Sequence, residues 1–421
     1  MAIAHGILSR TLMLLVAILT ACLGMKAQAA AGEPADSTRS ADEAQLDSLR
    51  LRDDFVTASM LVTTPGPSLY SALGHAAIRM ECPHFGLDIC FSYQSMGEPT
   101  LTDYIRFFSG QLSAGFIAMK TADYLSVSRE EGRGIKQYTL NLTPRQKQEL
   151  WRRLDNNMME GLSTQFDFLL HNCTSMSLAA AGSQLNGEHF EVRQWPESMR
   201  RDCPIPIFCS ATPHTPWMQF VLVTISGSSG DDPDIPRELL VSPETVGEVL
   251  EHTVIVGSDG TERPALTGKP QTLMAQTYYE YPTPFTPLWL SAMLLVLVLL
   301  LTVGEWRGHW QRAARVADVL LLVGQAVLGL LLAYIVFFGN LYEQHWNWCL
   351  LLFSPLPLLV WLCCRRRAAF GRVCLAYGCV LLLLAVVVPL VSYQLLAAHR
   401  LLAIAGFVRC LANGTGIAKK R

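Results

Sequence analysis

The sequence predicts an exported α+β domain followed by an all-α membrane domain. Three observations predict it. An apolar run near the N-terminus has the length of a secretion signal. Short runs of alternating apolar and polar residues recur through the first two thirds of the chain, as half-buried strands require. The last third is nearly all apolar, and its arginines gather in alternate loops. Only 16% of the 421 residues are charged, against roughly 25% in soluble domains. The deficit falls in that last third, and the composition changes near residues 282–287. This divides the chain into a soluble part, residues 50–280, and a membrane part, residues 284–421. The net charge of −2 points away from nucleic acid.

Arg10 precedes the apolar run 11–21, which is too short to span a bilayer. Two exits follow it. Leu19-Thr20-Ala21-Cys22 has the form of a lipobox, which would make Cys22 a lipidated first residue. Ala27-Gln28-Ala29 and Ala29-Ala30-Ala31 suit ordinary cleavage, which several A-x-A sites favour, so residues 1–31 are expected to be a signal peptide. Either exit exports the soluble part. Residues 32–47, rich in Ala, Asp, Glu and Ser, form a lead-in without a core.

The strands come next. Residues 55–63 read as a strand ended by Pro65-Gly66-Pro67. Residues 75–80 alternate with His75, Ala77 and Arg79 on one face, and residues 87–93 and 135–142 read as further strands. Residues 104–108 and 116–118 are short apolar pieces. Thr143-Pro144 opens a helix to about Met158, with Thr143 as cap and Pro144 in its first turn. A further helix starts at Asn172-Cys173-Thr174 and runs through the small residues 178–182. The expected packing is an antiparallel sheet with a helix across it.

Five cysteines lie between export signal and membrane part: Cys82, Cys90, Cys173, Cys203 and Cys209. Cys82 and Cys90 flank a turn-like segment, as do Cys203 and Cys209, so two local disulfides are expected in an oxidising compartment. The alternative for these four is a metal site, which C-x7-C and C-x5-C spacings fit poorly. Cys173 is left over, as a reactive or a buried structural thiol would be. At a helix start its thiolate gains from unpaired N–H groups.

A nucleophilic Cys needs a base. His75 is the candidate, ahead of His84, His171 and His189; His171 lies two positions from Cys173 and does not face it on a helix. A lone strand His is more often a satisfied structural residue, so the pairing with Cys173 carries the assignment. Asp88, opening the next strand, is the candidate to orient the ring, with Tyr93 and Asn172 as others. Asn172, Tyr93 and Tyr70 are also candidates for contacting substrate or an oxyanion. No H-E-x-x-H or G-x-x-x-x-G-K motif is present, and neither metal nor cofactor is expected.

In the membrane part, residues 285–304, 316–338, 348–364 and 373–393 read as spans, and 395–408 as a weaker fifth broken by Arg400. Arg307, Arg312 and Arg315 mark the first loop; Arg365, Arg366, Arg367 and Arg372 mark the third; loop 339–347 has none. The first and third loops are therefore expected to be cytoplasmic and the soluble domain outside, as the export signal requires. Lys419, Lys420 and Arg421 favour five spans over four. Loop 339–347 then faces the side of Cys173. Trp346 and Trp348 suit an interfacial belt, while Glu343, His345 and Asn347 are candidates to meet a lipid headgroup or assist the dyad.

Three motifs carry a family likeness: S-A-L-G-H-A-A-I-R-M at 71–80, L-D-I-C-F-S-Y at 87–93 and F-D-F-L-L-H-N-C-T-S at 166–175. The chain resembles the bacterial Lnb family, named for its lipoprotein N-acyltransferases, over most of its length. The order of His, polar residue and Asn-Cys is more distantly similar to permuted papain-like (NlpC-like) enzymes, the group that includes lecithin:retinol acyltransferase. The resemblance implies an α+β permuted papain-like periplasmic domain followed by five transmembrane helices, multi-pass in a bacterial inner membrane. It implies Cys173 as acyl-accepting nucleophile, His75 as base and acid, and Asp88 as orienting group. It covers Asn347–Leu351 as an N-x-x-L-L-like run, and departs at Gln94, where the family has a small residue, a change expected to bear on turn shape.

The reaction implied moves an acyl chain from a phospholipid, through a Cys173 thioester, to the N-terminal amine of a diacylglyceryl-cysteine lipoprotein. The alternatives are a membrane-anchored cysteine amidase or peptidase acting on cell-wall peptide, and a non-catalytic membrane scaffold.

Overall fold

A seven-stranded antiparallel sheet carries the site. Its order is β10–β5–β1–β2–β3–β4–β6, built from β1 (Thr57–Thr63), β2 (His75–Cys82), β3 (Leu87–Gln94), β4 (Ser113–Lys120), β5 (Ile135–Thr139), β6 (Ser163–Gln165) and, late in the chain, β10 (Gln271–Met274). The computed structural model describes residues 47–68, 71–95, 100–278, 285–341, 344–363 and 367–415. The signal peptide, Cys22, Tyr70 and Glu343 lie outside them. Val56–Arg421 forms one compact unit.

Between the strands lie α1 (Leu101–Phe108), α2 (Thr121–Glu130), α3 (Pro144–Met159) and α4 (Cys173–Gly182). α3 begins as its sequence requires: Thr143 Oγ1 accepts from the Gln146 N–H at 3.3 Å, and Gln146 Oε1 accepts from the Thr143 N–H at 2.9 Å. α4 packs on β2 and β3, the middle of the sheet. A second, three-stranded sheet joins β7 (His189–Val192), β8 (Thr253–Val256) and β9 (Glu262–Pro264). Between β7 and β8 come α5 (Pro204–Ala211), α6 (Pro216–Ile225) and α7 (Pro243–Glu251).

The expected disulfides are absent: Cys82, Cys90, Cys203 and Cys209 are free thiols. Strand register gives the reason. Cys82 pairs with Leu87 and Cys90 with Arg79, so three positions separate the two cysteines along the ladder. An odd offset puts their side chains on opposite faces. Cys203 precedes the first turn of α5 while Cys209 lies within it. Six residues along a helix span about 9 Å and more than one and a half turns, beyond disulfide reach.

The helical region comprises α8 (Pro287–Trp306), α9 (Gln311–Phe338), α10 (Cys349–Leu352), α11 (Leu356–Cys363), α12 (Arg367–Val386) and α13 (Ala397–Thr415). Among the described residues three helices are long and apolar enough to cross a membrane: Pro287–Trp306, Gln311–Phe338 and Ala369–Leu390. The expected span 348–364 is instead two short helices, broken before Pro355, which lacks an N–H. Carbonyls freed at the break find side chains. Tyr377 Oη donates to Leu352 O at 2.7 Å, and Gln325 Nε2 donates to Ser354 O at 2.8 Å. Such replacement partners are what a break within lipid demands. α13 carries the buried Arg409, which donates to Asp318 of α9 at 2.6 and 2.8 Å and to Glu305 of α8 at 3.0 Å. The charge is neutralised inside the bundle, as an apolar surrounding requires.

The two regions share one core. Leu222 and Ile225 of α6 sit in the same buried cluster as Leu332, Ile335 and Val336 of α9. Polar clamps reinforce the seam. Asp231 accepts from Ser392 Oγ at 2.7 Å, Tyr393 N at 2.6 Å and Gln394 Nε2 at 2.9 Å. Gly227 runs so close to the loop after α9 that a Cβ there would lie 1.8 Å from His345 O.

Candidate active site

Local sequence places the thiol. Asn172 caps α4, and its Oδ1 accepts from the N–H groups of Thr174 at 3.0 Å and Ser175 at 2.9 Å. Its Nδ2 donates back to Phe168 O at 2.9 Å. Both ends of the amide are thus committed to fixing the helix start. Asn172 is a cap, and its side chain neither orients an imidazole nor serves as an oxyanion donor. Of the first donors in α4 it leaves the N–H of Cys173 itself.

The strand places the imidazole. His75 opens β2, the strand against which the Cys173 helix packs. Cys173 and His75 line one cavity of about 530 Å³, together with Tyr93, Gln94 and Arg133. His75 Nε2 lies 2.7 Å from Ser92 Oγ, and Ser92 donates to Gln94 Oε1 at 3.1 Å. The single Ser92 proton is used on Gln94, so Ser92 Oγ accepts from Nε2–H. That fixes the tautomer and leaves Nδ1 with a free lone pair.

Burial sets the resting charge. It pushes His75 down to about 4, helped by the positive charge of Arg133. It pushes the Cys173 thiol up, against the opposing pull of the Ala76 N–H and the Thr174 hydroxyl. The resting pair is a neutral thiol and a neutral imidazole. Desolvation outweighs the helix-start stabilisation of a thiolate expected from the sequence.

Asp88 does not orient His75. Its carboxylate is held by Arg79, Nε to Oδ1 at 2.8 Å and Nη2 to Oδ2 at 2.7 Å. It stands opposite Glu81 in the ladder, six residues along β2 from His75, or about 20 Å. This charge pairing holds Asp88 below the usual carboxylate range. Ser92 takes the orienting place, with Gln94 behind it, so the departure at Gln94 bears on the imidazole and not only on a turn. Face alternation puts Asp88 and Ser92 on the same side of β3, and it is the pairing with β2 that brings Ser92 to the ring.

Other candidates are placed elsewhere. The Tyr93 hydroxyl is bonded to Thr164 of β6, although its ring reaches the cavity. His345 is exposed, and its carbonyl accepts from Ser228 N at 2.8 Å. Asn347 is buried: Nδ2 donates to Thr224 O at 2.8 Å and Oδ1 accepts from Cys349 N at 2.7 Å, so it ties the membrane loop to α6. Among the described residues of that loop Gln344 lines the cavity, donating to Phe108 O at 2.6 Å with its Oε1 buried and unpartnered. Among the described residues no group of three or more His, Cys, Asp or Glu could hold a metal ion.

Much of the remaining wall is apolar. Phe107 and Phe166 stack at 4.7 Å, with Phe168 edge-on to both. Leu222 and Ile225 close the wall toward the membrane helices. Such a cavity suits a hydrocarbon chain beside a thiol.

Comparison with known protein families matches residues 44–198 to the Lnb N-terminal periplasmic domain. Residues 279–421 match the Lnb transmembrane domain. No curated protein and no solved structure matches the chain. The two matches keep their order and account for most of the sequence, so this membrane protein with a periplasmic domain belongs to the Lnb family.

Proposed function

We propose that the protein is a lipoprotein N-acyltransferase of the bacterial inner membrane, crossing it several times with its catalytic domain in the periplasm. The observation that carries this reading is the shared cavity: Cys173 and His75 face an apolar-walled space that membrane-packed α6 and Gln344 help to close. An acyl chain fits such walls better than a cell-wall peptide, whose polar backbone would find few partners there.

His75 Nδ1 takes the Cys173 proton as the sulfur attacks a phospholipid ester carbonyl. The Cys173 N–H stands at the helix start to donate to the oxyanion. Collapse breaks the ester C–O bond, and the leaving lysophospholipid oxygen takes the proton from His75. A thioester remains. The N-terminal amine of a diacylglyceryl-cysteine lipoprotein then attacks, and its proton passes to His75. Collapse breaks the C–S bond, forms the amide and returns the proton to sulfur.

The test is intact-mass analysis of the purified protein after incubation with phospholipid. One acyl chain should add at Cys173, leave on adding a diacylglyceryl-cysteine peptide, and be absent in Cys173→Ser and His75→Ala. Unmodified wild-type protein with altered cell-wall peptides in a depleted strain would replace transfer with amidase activity.

A further inference from the structure

The cavity has a cationic corner that the acyl chemistry leaves unused. Arg133 follows α2 and precedes β5, and is only 8% exposed. Its Nε donates to Thr64 O at 2.8 Å, and Nη1 reaches Glu131 Oε2 at 3.1 Å. Its Nη2 is buried with no hydrogen-bond partner. A charged donor left unpaired away from water is costly, and here two fixed partners hold the fork in place. Among the described residues lining the cavity, Arg133 and Glu131 are the charged ones, and the Glu131 carboxylate is engaged by Nη1.

The surroundings are shaped around this side chain. A Cβ at Gly66 would lie 2.8 Å from Arg133 Cδ and 2.6 Å from Ser71 Oγ, so glycine is what lets the stem pass. Ser68 and Ser71, hydroxyls 2.7 Å apart, line the same cavity. Thr64, whose carbonyl holds Arg133 Nε, directly follows Thr63, the register partner of His75, so the guanidinium sits at the His75 end of the cavity.

We propose that Arg133 Nη2 binds the phosphate diester of the acyl donor and so sets a glycerol ester carbonyl against Cys173. The inference rests on the acyl-transfer reading and assigns the residue by which the site selects its phospholipid donor over a neutral glyceride. The planar guanidinium matches phosphate oxygens. In a phospholipid the phosphate lies a few bonds from the ester carbonyls, so both fit one cavity. A diacylglyceryl-cysteine carries a thioether at the corresponding glycerol carbon and no anion. The corner therefore sorts donor from acceptor within one site.

The experiment measures binding of dihexanoyl-phosphatidylglycerol and dihexanoylglycerol to the full-length Cys173→Ser protein. The phosphate-bearing probe should bind at least tenfold more tightly, about 1.4 kcal/mol. Adding Arg133→Gln should erase the preference and leave dihexanoylglycerol binding within about twofold. Arg133→Lys should retain part of it. Equal affinities with Arg133 in place overturn the proposal, whether or not the variants fold. So does equal loss of both probes in Arg133→Gln. A phosphate preference in Cys173→Ser, with wild-type protein that never forms a thioester, would keep this site and remove the transfer reading. Thioester formation by wild-type protein from both probes at equal rates would do the reverse.

Discussion

Ser92 Oγ lies 2.7 Å from His75 Nε2 and donates a hydrogen bond to Gln94 Oε1 at 3.1 Å. This hydrogen-bond chain holds the imidazole by Nε2 and leaves Nδ1 without a proton, as the proposed role of base requires. Ser92→Ala should lower the rate of Cys173 acylation by about tenfold to a hundredfold, the scale of losing a group that positions a base. Ser92→Thr should recover part of it. Stopped-flow acylation with a chromogenic ester reads both. An unchanged rate in Ser92→Ala would remove Ser92 from the site.

Asp88→Asn should leave acylation within about threefold of wild type while lowering stability by about 1 kcal/mol. The figure allows for solvent screening of a half-exposed carboxylate. The Arg79 pairing holds Asp88 below the usual carboxylate range. Its contribution is present above the unfolded value near 3.9 and is lost as pH falls through the folded one. Thermal melts with and without the substitution measure the difference.

The His75 ring titrates at about 4 in the fold, against 6.5 ordinarily. Between those values the unfolded chain binds a proton that the fold refuses. Stability should therefore fall as pH drops from about 6.5 to 4, by at most about 3.4 kcal/mol, and level off below. His75→Asn should flatten that window. Cys173 alkylation by iodoacetamide should rise with pH beyond the ordinary thiol range, with no plateau at acid pH of the kind a thiolate–imidazolium pair produces.

Cys82, Cys90, Cys203 and Cys209 are free, so a reducing agent should leave the melting temperature of the purified protein unchanged. Denaturing mass spectrometry with an alkylating label should find all four thiols reactive without prior reduction. A Cys82–Cys90 disulfide would overturn the register argument, and a Cys203–Cys209 disulfide the helix spacing.

Gly227→Ala would drive a methyl group to 1.8 Å from His345 O. One backbone must yield, and the seam between α6 and the loop after α9 is where it would yield. A loss of about 1–3 kcal/mol is expected, read as a lower melting temperature in detergent. Acylation per folded molecule should fall as well, because Gln344 in that loop lines the cavity.

Much of the architecture was legible in the residues. Alternation marked β1, β2 and β3, Thr143-Pro144 marked the start of α3, and Asn172-Cys173-Thr174 marked the start of α4. These signals are local: a cap, a period and a fixed backbone angle act within a few positions. The composition change likewise divided the sheet-rich domain from the helical one. Cys173 and His75 were singled out by motif and cysteine count, and the fold brings both to one cavity.

Tertiary structure decided everything that depends on pairing. Whether Ser92 or Asp88 meets His75 turns on strand register, since a shift of a few rungs exchanges one partner for the other. The same register separates Cys82 from Cys90. Arg133 and Gln344 reach the cavity from segments far from either motif, and no local pattern distinguishes them from ordinary polar residues. The break in the span 348–364 also needed neighbours, because Gln325 and Tyr377 donate to the Ser354 and Leu352 carbonyls beside Pro355. Local forces write the elements along the chain; which side chains meet is settled only by how the elements pack, because burial and desolvation act between residues the chain holds far apart.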